Sequence, residues 1–96
     1  MDNIIFDWDK NKYQENQKKH KVSFDEAKTA FYDTNAVMIG DPDHSDDEER
    51  FILLGFSKKA NLLVVCHCYR DSDTIIRIFS ARKANTIESA QYYDFQ

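Results

Sequence analysis

The chain has 96 residues, a formal net charge of −4, two glycines, one proline and two cysteines. This length predicts a single domain over residues 1–96 with one modest core. Two isolated glycines exclude a glycine-rich phosphate loop, and the longest apolar run, 62–66, is too short to cross a membrane. The N-terminus is acidic where a secretory signal is basic. Cys66 and Cys68 are poorly spaced for a mutual disulfide, so we expect a reduced, cytoplasmic protein.

The first third of the chain predicts one strand followed by two helices. The apolar run at 4–8 is typical of a strand, and Asp9 can cap a helix over 10–20. Ser23 and Glu26 have the spacing of a capping box, which predicts a second helix that ends near residue 32.

The rest of the chain predicts a β-meander and a last helix. Strands are expected at 36–39, 49–56, 62–70 and 74–81. Asn85 and Glu88 form a second capping signature for a helix that ends near residue 93. The order β-α-α-β-β-β-β-α predicts an α+β fold in which the helices pack on one face of an antiparallel sheet.

Tight turns at 57–60 and 71–73 set an expected strand register. This register places Arg50 opposite His67, and His67 opposite Arg77, in one row on one face of the sheet. The opposite face, which would pack against the helices, then includes Leu53, Leu62, Val64, Cys66 and Ile78. A one-residue slip in either turn breaks the row.

The row of Arg50, His67 and Arg77 has the chemistry of a ribonuclease. A histidine can transfer a proton near neutral pH, and two guanidinium groups can hold a phosphate and stabilise its developing charge. These groups suffice for cleavage of RNA by its own 2′-hydroxyl without a metal. The alternative is an ordinary exposed sheet face with one histidine and two solvated arginines.

Two further segments contain side chains of the types that bind metal ions. The segment 41–49 has six acidic residues but lacks the glycine and spacing of a calcium loop, and His44 has no partner at zinc-ligand spacing. We therefore interpret this segment as a solvated acidic loop. In 66–68, strand alternation directs His67 away from the two cysteines, which argues against a joint site. No metal and no cofactor are expected.

The order of short motifs along nearly the whole chain resembles the BrnT family of type II toxins. The motifs are Phe6-x-Trp8-Asp9, Lys12, Asn16, Lys19-His20-x-Val22-Ser23-Phe24-x-Glu26-Ala27, Asp41-Pro42-Asp43-His44-Ser45, Glu49-Arg50, Leu62-Leu63-Val64-Val65-x-His67, Arg70 and Arg77-Ile78-x-Ser80-Ala81-Arg82-Lys83-Ala84. The resemblance implies a RelE-like fold and a ribonuclease that inhibits translation. It also implies a BrnA-like antitoxin with a ribbon-helix-helix part, through which the toxin contacts operator DNA only indirectly.

With this resemblance, the sequence supports a specific assignment of site residues. His67 is the leading proton donor or acceptor, and Lys83 and Tyr92 are lesser candidates. Arg50, Arg77 and Arg70 are expected to stabilise the phosphorane. The expected contacts to the RNA backbone are Arg82, Lys58 and Lys59.

Two positions depart from the family pattern. Lys21 stands where the family usually has glycine, and the segment 85–94 lacks the arginines that are common in the family's last helix. A basic helix strengthens binding to phosphates, so its absence favours an alternative. In that alternative the protein is a weak or inactive toxin-fold partner that binds an antitoxin and acts as a co-repressor.

Overall fold

The computed structural model describes residues 4–96, which form five strands and three helices. The elements are β1 (Ile5–Trp8), α1 (Lys10–His20), α2 (Phe24–Thr29), β2 (Val37–Gly40), β3 (Arg50–Phe56), β4 (Leu62–Arg70), β5 (Ile75–Lys83) and α3 (Thr86–Asp94). Short 3-10 turns follow α2 at Ala30–Tyr32 and β2 at Pro42–His44. The predicted α+β class and element order are confirmed.

The five strands form one mixed sheet in the order β1-β5-β4-β3-β2. Three neighbouring pairs are antiparallel, but β1 runs parallel to β5. The expected all-antiparallel sheet is therefore corrected at this edge. A parallel pair needs a long connection, and the chain between β1 and β5 supplies one.

The helices cover both faces of the sheet. α1 and α2 pack on the face that carries Leu53, Leu63 and Val65, where the main core lies. α3 packs on the opposite face, where Tyr92 contacts Leu54 and Val64. The prediction that all helices share one face is right for α1 and α2 and wrong for α3. The short connection at 84–85 lets the chain turn onto the face that α1 and α2 leave uncovered.

Side chains cap each helix as the sequence indicates, with one difference. Asp9 accepts from the backbone N–H of Lys12 (3.0 Å), and Asn85 with Glu88 forms a complete capping box. Ser23 accepts from the N–H of Glu26 (2.9 Å), but the Glu26 carboxylate does not return to the cap. That carboxylate instead accepts from Ser57 (2.6 Å) and Asn61 (2.8 Å), so it ties α2 to the turn after β3.

Both hairpin registers differ from the expected ones by one residue. Arg50 pairs with Cys68, which pairs with Arg77, while His67 pairs with Phe51 and Ile78. After β3, the turn closes through a hydrogen bond from Ser57 N–H to Asn61 (2.9 Å), one residue beyond the expected partner. After β4, the turn spans 71–74, with left-handed backbone at 71–73. Each turn thus holds one residue more than the sequence reading assumed.

β5 also contains a bulge next to the middle of β4. Cys66 pairs with Ser80 and His67 pairs with Ile78, which leaves Phe79 as the extra residue. Bulges redirect side chains and are frequent beside active sites.

No helix within residues 4–96 is long and apolar enough to span a membrane.

Candidate active site

The register places His67 on the face that packs against α1 and α2. Its side chain is fully buried, and its ring lies edge-on to Phe31 with centroids 4.8 Å apart. Nδ1 lies 3.1 Å from the carbonyl oxygen of Val65, and Nε2 has no hydrogen-bond partner in the described part of the chain. Burial lowers the pKa of His67 to about 4. The prediction that His67 joins Arg50 and Arg77 in one row is wrong, because the one-residue slip reverses the face that β4 presents.

Three of the four arginines are held by carboxylates. Arg70 contacts Glu48 (3.0 Å), and Arg77 contacts Asp7 across the parallel pair (2.6 Å). Arg82 makes a two-point contact with Glu88, with both N–O distances 2.7 Å. These ion pairs partly neutralise the arginines that were expected to meet RNA, and the same contacts keep the pKa of Glu48 and of Glu88 below the usual range.

Arg50 differs from the other arginines. Its guanidinium lies over the ring of Phe79, 4.0 Å from the centroid, and it forms no ion pair with any residue in 4–96. A guanidinium stacked on an aromatic face keeps its hydrogen-bond donors available at the edge. Arg50 is therefore positioned by packing and still free to bind an anion.

The remaining sequence candidates lie apart from Arg50. Tyr92 is buried, and its hydroxyl donates to Asp33 (2.7 Å); burial, together with Asp33, raises the pKa of Tyr92 to about 12. This tyrosine anchors α3. Lys58 and Lys59 are exposed in the turn after β3, and Lys83 is exposed opposite Leu63. These lysines occupy the end of the sheet remote from Arg50, and their roles stay predictions.

A cleft forms where the 3-10 turn after β2 meets β3, β4, β5 and α1. It is lined by Lys12, Asp41, His44, Arg50, Cys66, Phe79 and Ser80. Two cations, a histidine and a carboxylate thus share one surface depression. Arg50 is the one residue of the predicted row that lines this cleft.

Asp41 and His44 form a hydrogen-bonded pair in the cleft. Pro42 begins the 3-10 turn, which brings these two residues, three positions apart, to the same side. His44 Nδ1 lies 3.1 and 3.0 Å from the two carboxylate oxygens of Asp41. Because an ionised carboxylate only accepts, this contact requires Nδ1 to donate, and Nε2 of the neutral ring is then the acceptor. The His44 side chain is 67% exposed and that of Asp41 only 8%, so the buried carboxylate orients an accessible imidazole.

Two hydrogen bonds tie the same turn to the backbone of Arg50, and a third closes the turn itself. Asp41 N–H donates to the carbonyl of Arg50 (2.8 Å), and Ser45 Oγ donates to the carbonyl of Asp41 (2.6 Å). Arg50 N–H in turn donates to Ser45 Oγ (3.0 Å). The histidine and the free arginine therefore keep a fixed separation, which a loop between two strands does not provide on its own.

The sequence and the fold both match a known protein family. The family model for the ribonuclease toxin BrnT of type II toxin-antitoxin systems matches residues 8–88. The chain belongs to the BrnT family. A crystal structure of the ribonuclease toxin BrnT of Brucella abortus is similar in fold, with a TM-score of 0.67 at 19% identity; the match covers 86% of this chain and 99% of that one. No curated protein matches the sequence significantly.

Sequence reasoning did not predict the pairing of His44 with Asp41 in this BrnT family member. It interpreted 41–49 as a solvated acidic loop, because six acids in nine residues favour that reading. The signal that could have found the pair is the Asp-Pro-Asp-His-Ser motif at 41–45. A proline that begins a turn, with an aspartate and a histidine three residues apart, predicts that these two side chains lie on the same side of the turn.

Among the described residues, no group of three or more His, Cys, Asp or Glu side chains lies close enough to hold a metal ion. Cys66 lies in the cleft with Sγ 4.0 Å from Asp41, and burial raises the pKa of its thiol. Both cysteines are unpaired thiols, as expected. The cleft thus combines an imidazole, a carboxylate, a thiol and two cations.

Proposed function

We propose that this BrnT family member is a metal-independent endoribonuclease that cleaves RNA by attack of its own 2′-hydroxyl. The observation that supports the proposal is the pair of Asp41 and His44 beside the unpaired guanidinium of Arg50 in one accessible cleft. A histidine oriented by a carboxylate is suited to proton transfer, and arginine is suited to a phosphate. Family membership supplies the ribonuclease class.

The proposed step uses four side chains of the cleft. Nε2 of His44 takes the proton of the 2′-hydroxyl, the O2′–P bond forms and the P–O5′ bond breaks. The leaving 5′-oxygen takes a proton from water, and the imidazolium returns its proton to the hydroxide that remains. The products are a 2′,3′-cyclic phosphate and a 5′-hydroxyl end. Asp41 stabilises the imidazolium that forms, while Arg50 and Lys12 offset the charge that accumulates on the phosphorane.

We further propose that the cleavage inhibits translation in the cytoplasm and that a small antitoxin blocks it. The type II toxin-antitoxin family implies an antitoxin partner. The sequence resemblance supports a BrnA-like protein with a ribbon-helix-helix part, through which the complex contacts DNA. The pairing is tested by co-expression with the product of any short reading frame that adjoins this gene, followed by purification through a tag on that product: a 1:1 or 2:2 complex is expected.

The experiment that tests the nuclease uses purified protein, end-labelled RNA and EDTA. We expect cleavage to persist in EDTA and to leave 2′,3′-cyclic phosphate ends. Arg50→Ala should reduce the cleavage rate by about 100-fold, in line with the loss of one group that stabilises transition-state charge. Arg70→Ala is the matched control, because Arg70 is held by Glu48 outside the cleft. Absence of cleavage by the wild type, or its loss in EDTA, contradicts the proposal.

A second candidate is an inactive partner of the antitoxin that tunes repression. It is favoured by α3, which lacks basic residues in its last turn, and by Arg82, the cation that precedes it and is held by Glu88. Growth arrest on expression of the wild type, abolished by Arg50→Ala, supports the nuclease. Harmless expression together with a tight antitoxin complex supports the co-repressor.

A further inference from the structure

A second groove continues from the active-site cleft along α1. It is lined by Lys12, Glu15, Asn16, Lys19, His20, Phe79 and Ser80. Three of these residues, Lys12, Phe79 and Ser80, also line the cleft that holds His44. The two depressions therefore adjoin at these residues and together form a channel, with α1 as one wall and β5 as the other.

The wall of this channel is fixed by a buried side chain. Asn16 donates from Nδ2 to the carbonyls of Ala81 (2.8 Å) and Val22 (3.1 Å), and its Oδ1 accepts from Ala81 N–H (3.1 Å). Every polar atom of the amide group thus has a partner, and α1 is locked against β5. The groove therefore has a fixed shape between two rigid elements, which favours precise binding.

The lining has the character of a site for single-stranded nucleic acid. Lys12 and Lys19 are seven residues apart on one side of α1, about 10 Å along its axis. His20 adds a third basic side chain at the far end, and Glu15 is the one acid of the lining. At the junction the bulge turns Phe79 out of the strand alternation, with Lys12 Nζ 5.8 Å from its ring. Cations along a groove with an aromatic side chain are the usual features of such sites.

We propose that the groove between α1 and β5 binds the single-stranded RNA that flanks the scissile phosphate, with Lys19 contacting a backbone phosphate outside the cleft. The proposal rests on the proposed ribonuclease function and extends it from one phosphate to a strand of several nucleotides. It relocates the backbone contacts from Lys58 and Lys59, which lie at the remote end of the sheet, to α1. The groove shares three lining residues with the cleft, whereas Lys58 and Lys59 line neither.

Lys18 and Lys19 provide a matched pair of variants. Both are exposed lysines on α1, but only Lys19 lines the groove. Affinity is measured by fluorescence anisotropy for a fully 2′-O-methylated 12-nucleotide RNA, which lacks the attacking hydroxyl and stays intact. We expect Lys19→Glu to weaken binding about 10-fold and Lys18→Glu to weaken it less than twofold. Lys19→Ala should reduce the slope of log K against log salt by about 0.7, the loss of one phosphate contact.

Cleavage assays separate this proposal from the nuclease proposal. With a cleavable 12-nucleotide RNA, Lys19→Glu should raise KM about 10-fold with little change in kcat, and with a dinucleotide it should change neither. If Lys18→Glu and Lys19→Glu behave alike while the wild type cleaves RNA, the groove proposal is rejected and the nuclease proposal is retained. Binding that depends on Lys19 without any cleavage supports the groove and rejects the nuclease. If the 12-nucleotide RNA does not bind, or if Lys19→Glu weakens only the antitoxin complex, the groove proposal is rejected.

Discussion

His44 and His67 show how differently one residue type can be used within a single small sheet. His44 sits on a turn at the mouth of a cleft, mostly exposed, with Nδ1 hydrogen-bonded to a buried carboxylate. His67 sits in the middle of β4, fully buried against Phe31, with Nε2 lacking a partner among the described residues. The first has the access and orientation that proton transfer needs, and the second is part of the core.

The comparison shows that hydrogen-bond partners and access, rather than residue type, decide which histidine can act on RNA. A neutral histidine inside an apolar core costs stability when it is protonated, so it resists the change that catalysis requires. An exposed histidine with an oriented ring can gain and lose a proton without disturbing the fold. The predictions below test this division between cleft and core.

The largest expected effect is on activity after removal of the cleft histidine. His44→Ala should lower the cleavage rate about 1000-fold, within the range for loss of general acid-base catalysis, and leave the circular dichroism spectrum unchanged. His67→Leu should keep at least half of the activity per folded molecule, since His67 lies away from the cleft. Rates are measured in single-turnover assays with labelled RNA. A loss of activity in folded His67→Leu as large as in His44→Ala would return His67 to the active site.

The next effect concerns the pH dependence of stability. The pKa of His67 is about 4 in the folded protein, below its ordinary value of 6.5, so the unfolded chain binds the proton more readily. The contribution of neutral His67 to the free energy of unfolding is complete above pH 6.5 and is lost as the pH falls toward 4. Relative to His67→Leu, the wild-type free energy of unfolding should decline by about 3 kcal/mol between pH 7 and pH 4. Urea unfolding across this range measures it, and parallel pH curves for the two proteins would contradict the assignment.

The fold was predicted well from sequence because its signals are local. Asp9, Ser23 and Asn85 cap helices through contacts within three residues, and apolar runs place the strands within one or two residues. These contacts depend on neighbours in the chain, so periodicity and spacing suffice to find them.

The active site was predicted poorly because it depends on register and on a turn. One extra residue in the turn after β3 separates His67 from Arg50, and one in the turn after β4 separates it from Arg77. No composition rule distinguishes these turns beforehand. Only Arg50 lies in the cleft as the sequence suggested. The sequence-based prediction was also wrong about the direction of β1 and about the face that α3 covers, because long-range packing decides both.

Two glycines, one in the core and one near the cleft, allow the two regions to be compared by their effect on stability. A Cβ on Gly55 would lie 2.9 Å from the carbonyl oxygen of Ala30, whereas one on Gly40 meets nothing within 4 Å. Gly55→Ala should therefore destabilise the protein by about 2 kcal/mol, because backbone atoms yield little. Gly40→Ala, near the cleft, should change stability by less than about 0.5 kcal/mol. Thermal and urea unfolding of both variants provide the test. Equal midpoints would contradict the prediction, because they would show that the surroundings of Gly55 accept a methyl group as readily as those of Gly40.

The smallest effect is expected at the end of α1, the helix that carries the cations of the cleft and groove. Lys21 caps this helix in a left-handed conformation, with φ 56° and ψ 31°, which explains the glycine usual in the family. A Cβ in this conformation costs roughly 1–2 kcal/mol, which glycine avoids. Glycine also loses more conformational entropy on folding, and this loss cancels part of the gain in stability. Lys21→Gly should thus stabilise the protein by about 0.5 kcal/mol, whereas Lys21→Ala, which removes the charge but keeps Cβ, should give no such gain. Because Lys21 does not line the groove, RNA affinity should stay within twofold for both. An equal rise in unfolding midpoint for both variants would attribute the effect to charge rather than to backbone conformation.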